Sequence, residues 1–135
     1  MMQVVLPGSI RSKKNSKRAM IVGGVNKPKR AVLLSSKAYL KWENEARWEA
    51  RIQLRFTEML QGPIAIRALF YYKGPRPDLQ GAMESLADCL EGICYLDDKQ
   101  IVSWDGSRLI HDKSNPRTVV EITELGADQK KEGAR

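Results

Sequence analysis

The sequence predicts an α+β fold, a small mixed sheet of short strands packed with two main helices. Short runs of β-branched and aromatic residues, bounded by Gly, Pro and Asn, recur along the chain. Two longer segments instead carry apolar residues at three- and four-residue spacing. The chain has 135 residues, 42% hydrophobic and 29% charged, enough for one domain with a modest core but hardly two. We place that domain at residues 1–125. Residues 126–135 (GADQKKEGAR) have nothing to bury and are expected to form a disordered tail.

Taking the elements in order, Gln3 to Leu6 reads as a strand stopped by Pro7-Gly8. Arg11 to Arg18 is too polar to pack and reads as a loop. Ala19 to Val22 and Ala31 to Leu34 read as two short strands around a basic turn. Ser35 or Ser36 is a good N-cap for a helix in which Tyr39, Trp42, Ala46 and Ala50 share one face. That helix is expected to run to about residue 54, although Ile52, Leu54 and Phe56 alternate like a strand. Ile64 to Tyr72 has the apolar and aromatic density of a central strand. After the rigid Gly74-Pro75-Arg76-Pro77 turn, Leu79 to Glu91 reads as an amphipathic helix. Its apolar face is predicted to hold Leu79, Met83, Leu86, Ala87 and Leu90, its polar face Gln80, Glu84, Asp88 and Glu91, with Gly92 as its stop. Ile101 to Trp104 and Arg108 to His111 are strand segments around the Asp105-Gly106 turn, and Thr118 to Ile122 is a last strand.

The composition excludes several chemistries. No run approaches the roughly 18 apolar residues of a membrane span, and the first residues lack the charged-then-apolar order of a signal peptide, so a cytoplasmic location is expected. Cys89, Cys94 and the single histidine, His111, assemble neither a disulfide framework nor a zinc site. The cysteines read as small buried hydrophobes, His111 as a structural or surface residue, and Met20, Met59 and Met83 as fillers of the core.

Charge is distributed unevenly. The formal net charge is +7, yet residues 1–37 alone carry nine basic groups and no acid. Such a segment is the footprint of a polyanion, because each Lys or Arg set on a phosphate releases condensed counterions. Arg11, Lys13, Lys14, Asn15, Lys17, Arg18, Lys27, Lys29 and Arg30 are the candidate nucleic-acid contacts. From Asp78 to Asp98 the balance inverts, with six acids and no Lys or Arg, bracketed by Arg76 and Lys99. Taken singly these acids have ordinary explanations: Asp78 as a helix cap, Asp97-Asp98 as turn formers, Glu84 and Asp88 as a solvated helix face. Together they are costly unless a cation lies among them, and converging carboxylates suit Mg²⁺, a hard cation wanting oxygen ligands. A basic arm beside an acidic cluster points to metal-dependent phosphodiester chemistry.

Arg76-Pro77-Asp78-Leu79, followed by Asp88, Leu90, Gly92, Tyr95, Asp97-Asp98 and Gln100-Ile101, resembles the signature of RusA-type Holliday junction resolvases, at the family's spacing and without a gap. PGSIRSKKNSKR is similar to the family's opening loop and Ser36-Lys37-Ala38-Tyr39 to the start of its first helix, so the resemblance covers roughly residues 2–123. It implies a homodimer and Mg²⁺- or Mn²⁺-dependent nicking of branched DNA, the four-way junction, with neither a membrane nor a small molecule as partner. The family's metal-binding acids fall at Asp78, position 80 and Asp98, with Asp97 adjacent. Two positions depart: the family's second Asp is Gln80 here and its Lys is Glu84, while its Asn falls at Gly81. Position 84 lies one helical turn beyond position 80, so Glu84 is expected to restore the missing charge. The expected metal site is Asp78, Glu84 and Asp98 with Asp97 and Gln80 as secondary contacts, and Arg76 or Lys99 supplies the cation lost at position 84. The competing reading is a catalytically inactive module that binds branched DNA with the same fold. An RNA-binding module stacking bases on Trp42, Trp48 or Trp104 is disfavoured, because Trp42 sits at core spacing and the basic segment lacks interleaved aromatics.

Overall fold

A computed structural model describes residues 1–12, 17–22 and 30–126, with backbone alone for 17–22 and 30–35. The elements are β1 (Met2–Pro7), β2 (Lys17–Val22), β3 (Arg30–Ser35), α1 (Lys37–Gln53), β4 (Ile64–Tyr72), α2 (Leu79–Leu90), β5 (Ile101–Ser103), β6 (Arg108–His111) and β7 (Arg117–Glu124), with a 3-10 turn at Asp98–Gln100. This is the α+β fold with two main helices that the sequence predicts. The expected tail beyond Gly126 lies outside the described residues.

The main sheet runs in the order β1-β7-β4-β5, with β6 also paired to β4. Strands β1 and β4 are each antiparallel to β7 between them, whereas β5 and β6 run parallel to β4, so α2 is the crossover that returns the chain to the sheet. Strands β2 and β3 form a separate antiparallel hairpin, Lys17 opposite Ser35 and Val22 opposite Arg30. The predicted loop at Arg11 to Arg18 thus ends earlier than expected, because Lys17 and Arg18 already pair.

Register explains the core. Val4, Val120 and Ala68 lie side by side across three strands, as do Leu6, Thr118 and Phe70, and Met2, Ile122 and Ile66. All nine are buried, together with Tyr39, Trp42, Ala46 and Ala50 of α1 and Leu86 and Leu90 of α2. Each large side chain so buried contributes roughly 1.5–3 kcal/mol. A slip of one residue would turn this whole row outward.

Helix α1 begins at the predicted cap, Ser36, whose side chain accepts a hydrogen bond from the Tyr39 N–H at 3.1 Å. It ends at Gln53, and residues 54–56 form a turn rather than a strand, with Ile52 and Phe56 exposed and Leu54 buried. Gln53 then closes the open edge of β1. Its Oε1 accepts from the Val5 N–H at 2.9 Å and its Nε2 donates to the Val5 carbonyl at 2.7 Å. One glutamine thereby occupies the outward-facing pair that an edge strand otherwise offers to a neighbour.

The buried face of α2 differs from the predicted one. Gly81, Ala82, Ser85, Leu86, Ala87, Cys89 and Leu90 are buried, while Leu79 and Met83 are only half-buried at the margin. Small residues let α2 lie close to α1 and the sheet, which rotates its centre toward Ala82 and Cys89. Met59 and Met83 are half-buried rather than central, and the Met20 side chain lies outside the description. His111 is exposed and meets the Tyr72 ring edge-to-face at 5.5 Å. Among the described residues, no helix is long and apolar enough to cross a membrane.

Candidate active site

Asp78 caps α2. Its backbone is extended and its Oδ2 accepts from the Gly81 N–H at 2.9 Å, satisfying one of the helix's unpaired donors. Gly81 is required by a close approach: a Cβ there would stand 2.5 Å from the Ser12 Oγ and 3.0 Å from the Ser12 Cβ. The Asn that the resemblance places at this position would collide with Ser12, which is buried against the first turn of α2. The start of the opening loop, up to Ser12, is thus seated on the helix that carries part of the acidic block, with Arg11 exposed beside it.

At the other end of α2, Arg47 of α1 holds the last turn. Its Nη1 donates to the carbonyls of Cys89 at 2.8 Å and of Asp88 and Glu91 at 3.4 Å, placing a cation on the negative end of the helix. Gly92 follows at φ +83, and its N–H donates to the Tyr95 carbonyl at 2.7 Å. The buried Tyr95 hydroxyl donates to the Ala87 carbonyl at 2.7 Å, folding the connection back onto the helix. Gln100 completes the fixture: its Oε1 accepts from Leu96 and Asp97 N–H groups, and its Nε2 donates to the carbonyls of Leu60 and Gly62. Asp97 caps the 3-10 turn, its Oδ1 accepting from the Lys99 N–H at 2.9 Å.

These fixtures deliver Asp98 to the polar side of α2. Carboxylate oxygens of Asp88, Glu91 and Asp98 all lie within 4.8 Å of one another, and Glu91 Oε1 accepts from the Asp98 N–H at 3.4 Å. One cleft is lined by Gln80, Glu84, Asp88 and Asp98, with Met83, Ala87, Ile101 and Trp104 as its apolar wall. Gln80, Glu84 and Asp98 are exposed and Asp88 is half-buried. The donor set is oxygen from carboxylates and an amide, which fits a hard divalent cation such as Mg²⁺ or Mn²⁺.

Of the residues expected from sequence, the structure brings Gln80, Glu84 and Asp98 into one cleft. Asp78 lines a second, adjacent cleft together with Arg76. Asp97 and Lys99 line neither cleft. Asp97 is occupied in its turn, and Lys99 is exposed without an ion pair among the described residues. Glu91 was not among the acids expected to converge, and Asp88, which was, was not assigned as a ligand. Their signal was the three-residue spacing at the end of a helix that Gly92 reverses, a turn that carries Asp98 back to them. Of the candidate DNA contacts, Lys13, Lys14, Asn15, Lys27 and Lys29 lie outside the described residues, and Lys17, Arg18 and Arg30 are placed by backbone on the β2–β3 hairpin.

The thiols behave as expected of buried hydrophobes. Both are free, and burial pushes Cys89 and Cys94 up to about 12. Burial also raises Tyr39 and Tyr95 well above the usual phenol range, Tyr39 further so by its hydrogen bond to Glu43.

No curated protein matches this sequence significantly. Residues 7–123 match the family described as Endodeoxyribonuclease RusA, a span reaching from the opening loop through β7 and including every residue of both clefts. The chain belongs to the RusA endodeoxyribonuclease family.

Proposed function

We propose that this chain is a structure-selective endonuclease that resolves four-way DNA junctions, acting in the cytoplasm as a homodimer that nicks strands in pairs. The observation that carries this reading is the convergence of Asp88, Glu91 and Asp98 at the C-terminal end of α2, with Glu84 lining the same cleft as Asp88 and Asp98, within a fold whose family cuts DNA. Asp98, with Asp88 and Glu91, is the core of a site for Mg²⁺ or Mn²⁺, and Glu84 supplies from the next turn the charge that Gln80 lacks. Asp78, whose Oδ2 is engaged by the helix, stands at the other end of α2 and is not among these ligands. When bound, the metal activates a water and screens the charge developing on the phosphate.

The chain's own residues do the rest. The carboxylates repel an unscreened backbone, so a phosphate is admitted to this end only with the cation. Arg76, beside Asp78, supplies positive charge that position 84 no longer provides. Ile101 and Trp104 wall the cleft on its apolar side and limit water around the scissile phosphate.

Labelled four-way junction, flap and plain duplex, each incubated with and without Mg²⁺ or Mn²⁺, test this reading against the inactive branched-DNA-binding module that Gln80 and Glu84 raise. The wild type is expected to nick the junction only with metal, and Asp98→Asn to bind it without nicking. Junction binding with no metal-dependent nicking by the wild type would favour the inactive module.

A further inference from the structure

The second cleft is built from two chain segments, Ser9 to Ser12 before the hairpin and Lys73 to Asp78 before α2. It measures about 490 Å³ and opens to solvent. A single side chain ties its walls together: Ser9 Oγ accepts from the Lys73 N–H at 3.0 Å and donates to the Lys73 carbonyl at 3.4 Å. Pro75 and Pro77 stiffen one wall. Gly74, at φ +79, has no heavy atom within 4 Å of where a Cβ would stand, so the backbone there lies open to an incoming group.

The lining is cationic. Arg11, Lys73 and Arg76 come from both walls, all are exposed, and among the described residues none forms an ion pair. The one acid, Asp78, already gives an oxygen to the Gly81 N–H. Three unneutralised cations held along an open groove suit an extended polyanion better than a small enclosed anion. The groove's position is informative as well. Asp78 lines this cleft and Gln80, two residues on, lines the acidic one, so the first turn of α2 is a shared ridge.

We propose that this cleft is a phosphate subsite for the DNA strand next to the scissile phosphate, with Lys73 and Arg11 as its cations and Ser9 as the tie that sets their separation. The proposal rests on the endonuclease reading and deepens it. Neither Lys73 nor Ser9 belongs to the basic arm predicted from the sequence. The strand crosses the ridge at α2, held by phosphate contacts on the basic side and cut on the acidic side.

Salt dependence of junction binding tests it, because each lost phosphate contact removes a countable number of released ions. Binding of a fluorescent four-way junction by the full chain is measured without divalent metal across a series of salt concentrations. Lys73→Ala is expected to lower the slope of log affinity against log salt by about 0.9 per bound protomer, and Arg11→Ala with Lys73→Ala by about twice that. Lys41→Ala, an exposed cation on α1 outside both clefts, is expected to leave the slope within about 0.3 of the wild type. Ser9→Ala keeps all three cations, so its slope holds while its affinity falls several-fold. Wild-type slopes in Lys73→Ala and the double variant, with circular dichroism unchanged, overturn the subsite and leave the endonuclease reading standing. A wild type that binds neither junction nor duplex overturns both.

Discussion

At the N-terminal end of α2 the acid is employed by the fold and its surroundings are basic. Asp78 caps the helix, and Arg11, Lys73 and Arg76 stand around it. At the C-terminal end the order is reversed: the cation, Arg47, is employed by the fold, and the acids Asp88, Glu91 and Asp98 gather within 4.8 Å of one another. In sequence the six acids from Asp78 to Asp98 form one uninterrupted block. In space they divide by task. Asp78 and Asp97 cap helical turns, while Glu84, Asp88 and Asp98 line one cleft and Glu91 joins Asp88 and Asp98 at its end. A run of like charge is therefore a poor guide to a site until the local hydrogen bonds are assigned. The acids whose carboxylate oxygens approach one another, Asp88, Glu91 and Asp98, are the set that our reading gives to a cation.

The sharpest way to break this contrast is at Glu84, whose carboxylate is exposed in the acidic cleft. Glu84→Gln is expected to lower metal-dependent nicking by about 100-fold while junction binding holds, several kcal/mol being typical of a metal's contribution. Unchanged turnover in a gel assay would remove Glu84 from the site. Next in size is Arg47. Arg47→Ala leaves three carbonyls at the end of α2 without their guanidinium, so urea unfolding should show a loss of about 2 kcal/mol. Because those carbonyls belong to the turn bearing Asp88 and Glu91, the variant should also need more Mn²⁺ for half-maximal nicking.

The last effect is alkaline. Thiols of the unfolded chain ionise near 9.0, but burial holds Cys89 and Cys94 neutral in the fold up to about 12. Raised folded values mean that this contribution is complete below pH 9 and lost as pH rises toward 12. Urea midpoints are expected to fall from pH 9 upward, and the paired change Cys89→Ala, Cys94→Ala to flatten the fall between pH 9 and 10. Tyr39 and Tyr95, with an ordinary value of 10.0, take over above that.

Much of this fold was legible because single-residue signals coincided with periodicity. Ser36 and Asp78 are caps, β4 has the predicted limits, and Tyr39, Trp42, Ala46 and Ala50 are the buried face of α1. The inner face of α2 was misjudged because residue volume is no measure of depth: Gly81, Ala82 and Ser85 are buried where the helix lies close, and the larger Leu79 and Met83 fall at the rim. The site was legible in composition but not in membership. Joining Asp88 and Glu91 to Asp98 depends on the Gly92 reversal and on Tyr95 and Gln100 bonding across it, contacts that no spacing rule contains. The role of Gly81 was hidden for the same reason, since Ser12 meets it from a distant part of the chain.

The central claim is that Asp88, Glu91 and Asp98 at the C-terminal end of α2 hold a divalent cation. Mn²⁺ binding to the full chain without DNA, followed by electron paramagnetic resonance, tests it most directly. We expect the wild type to bind Mn²⁺ and Asp98→Asn to bind it at least about tenfold more weakly, with circular dichroism unchanged. Equal Mn²⁺ affinity in the two proteins would contradict the account.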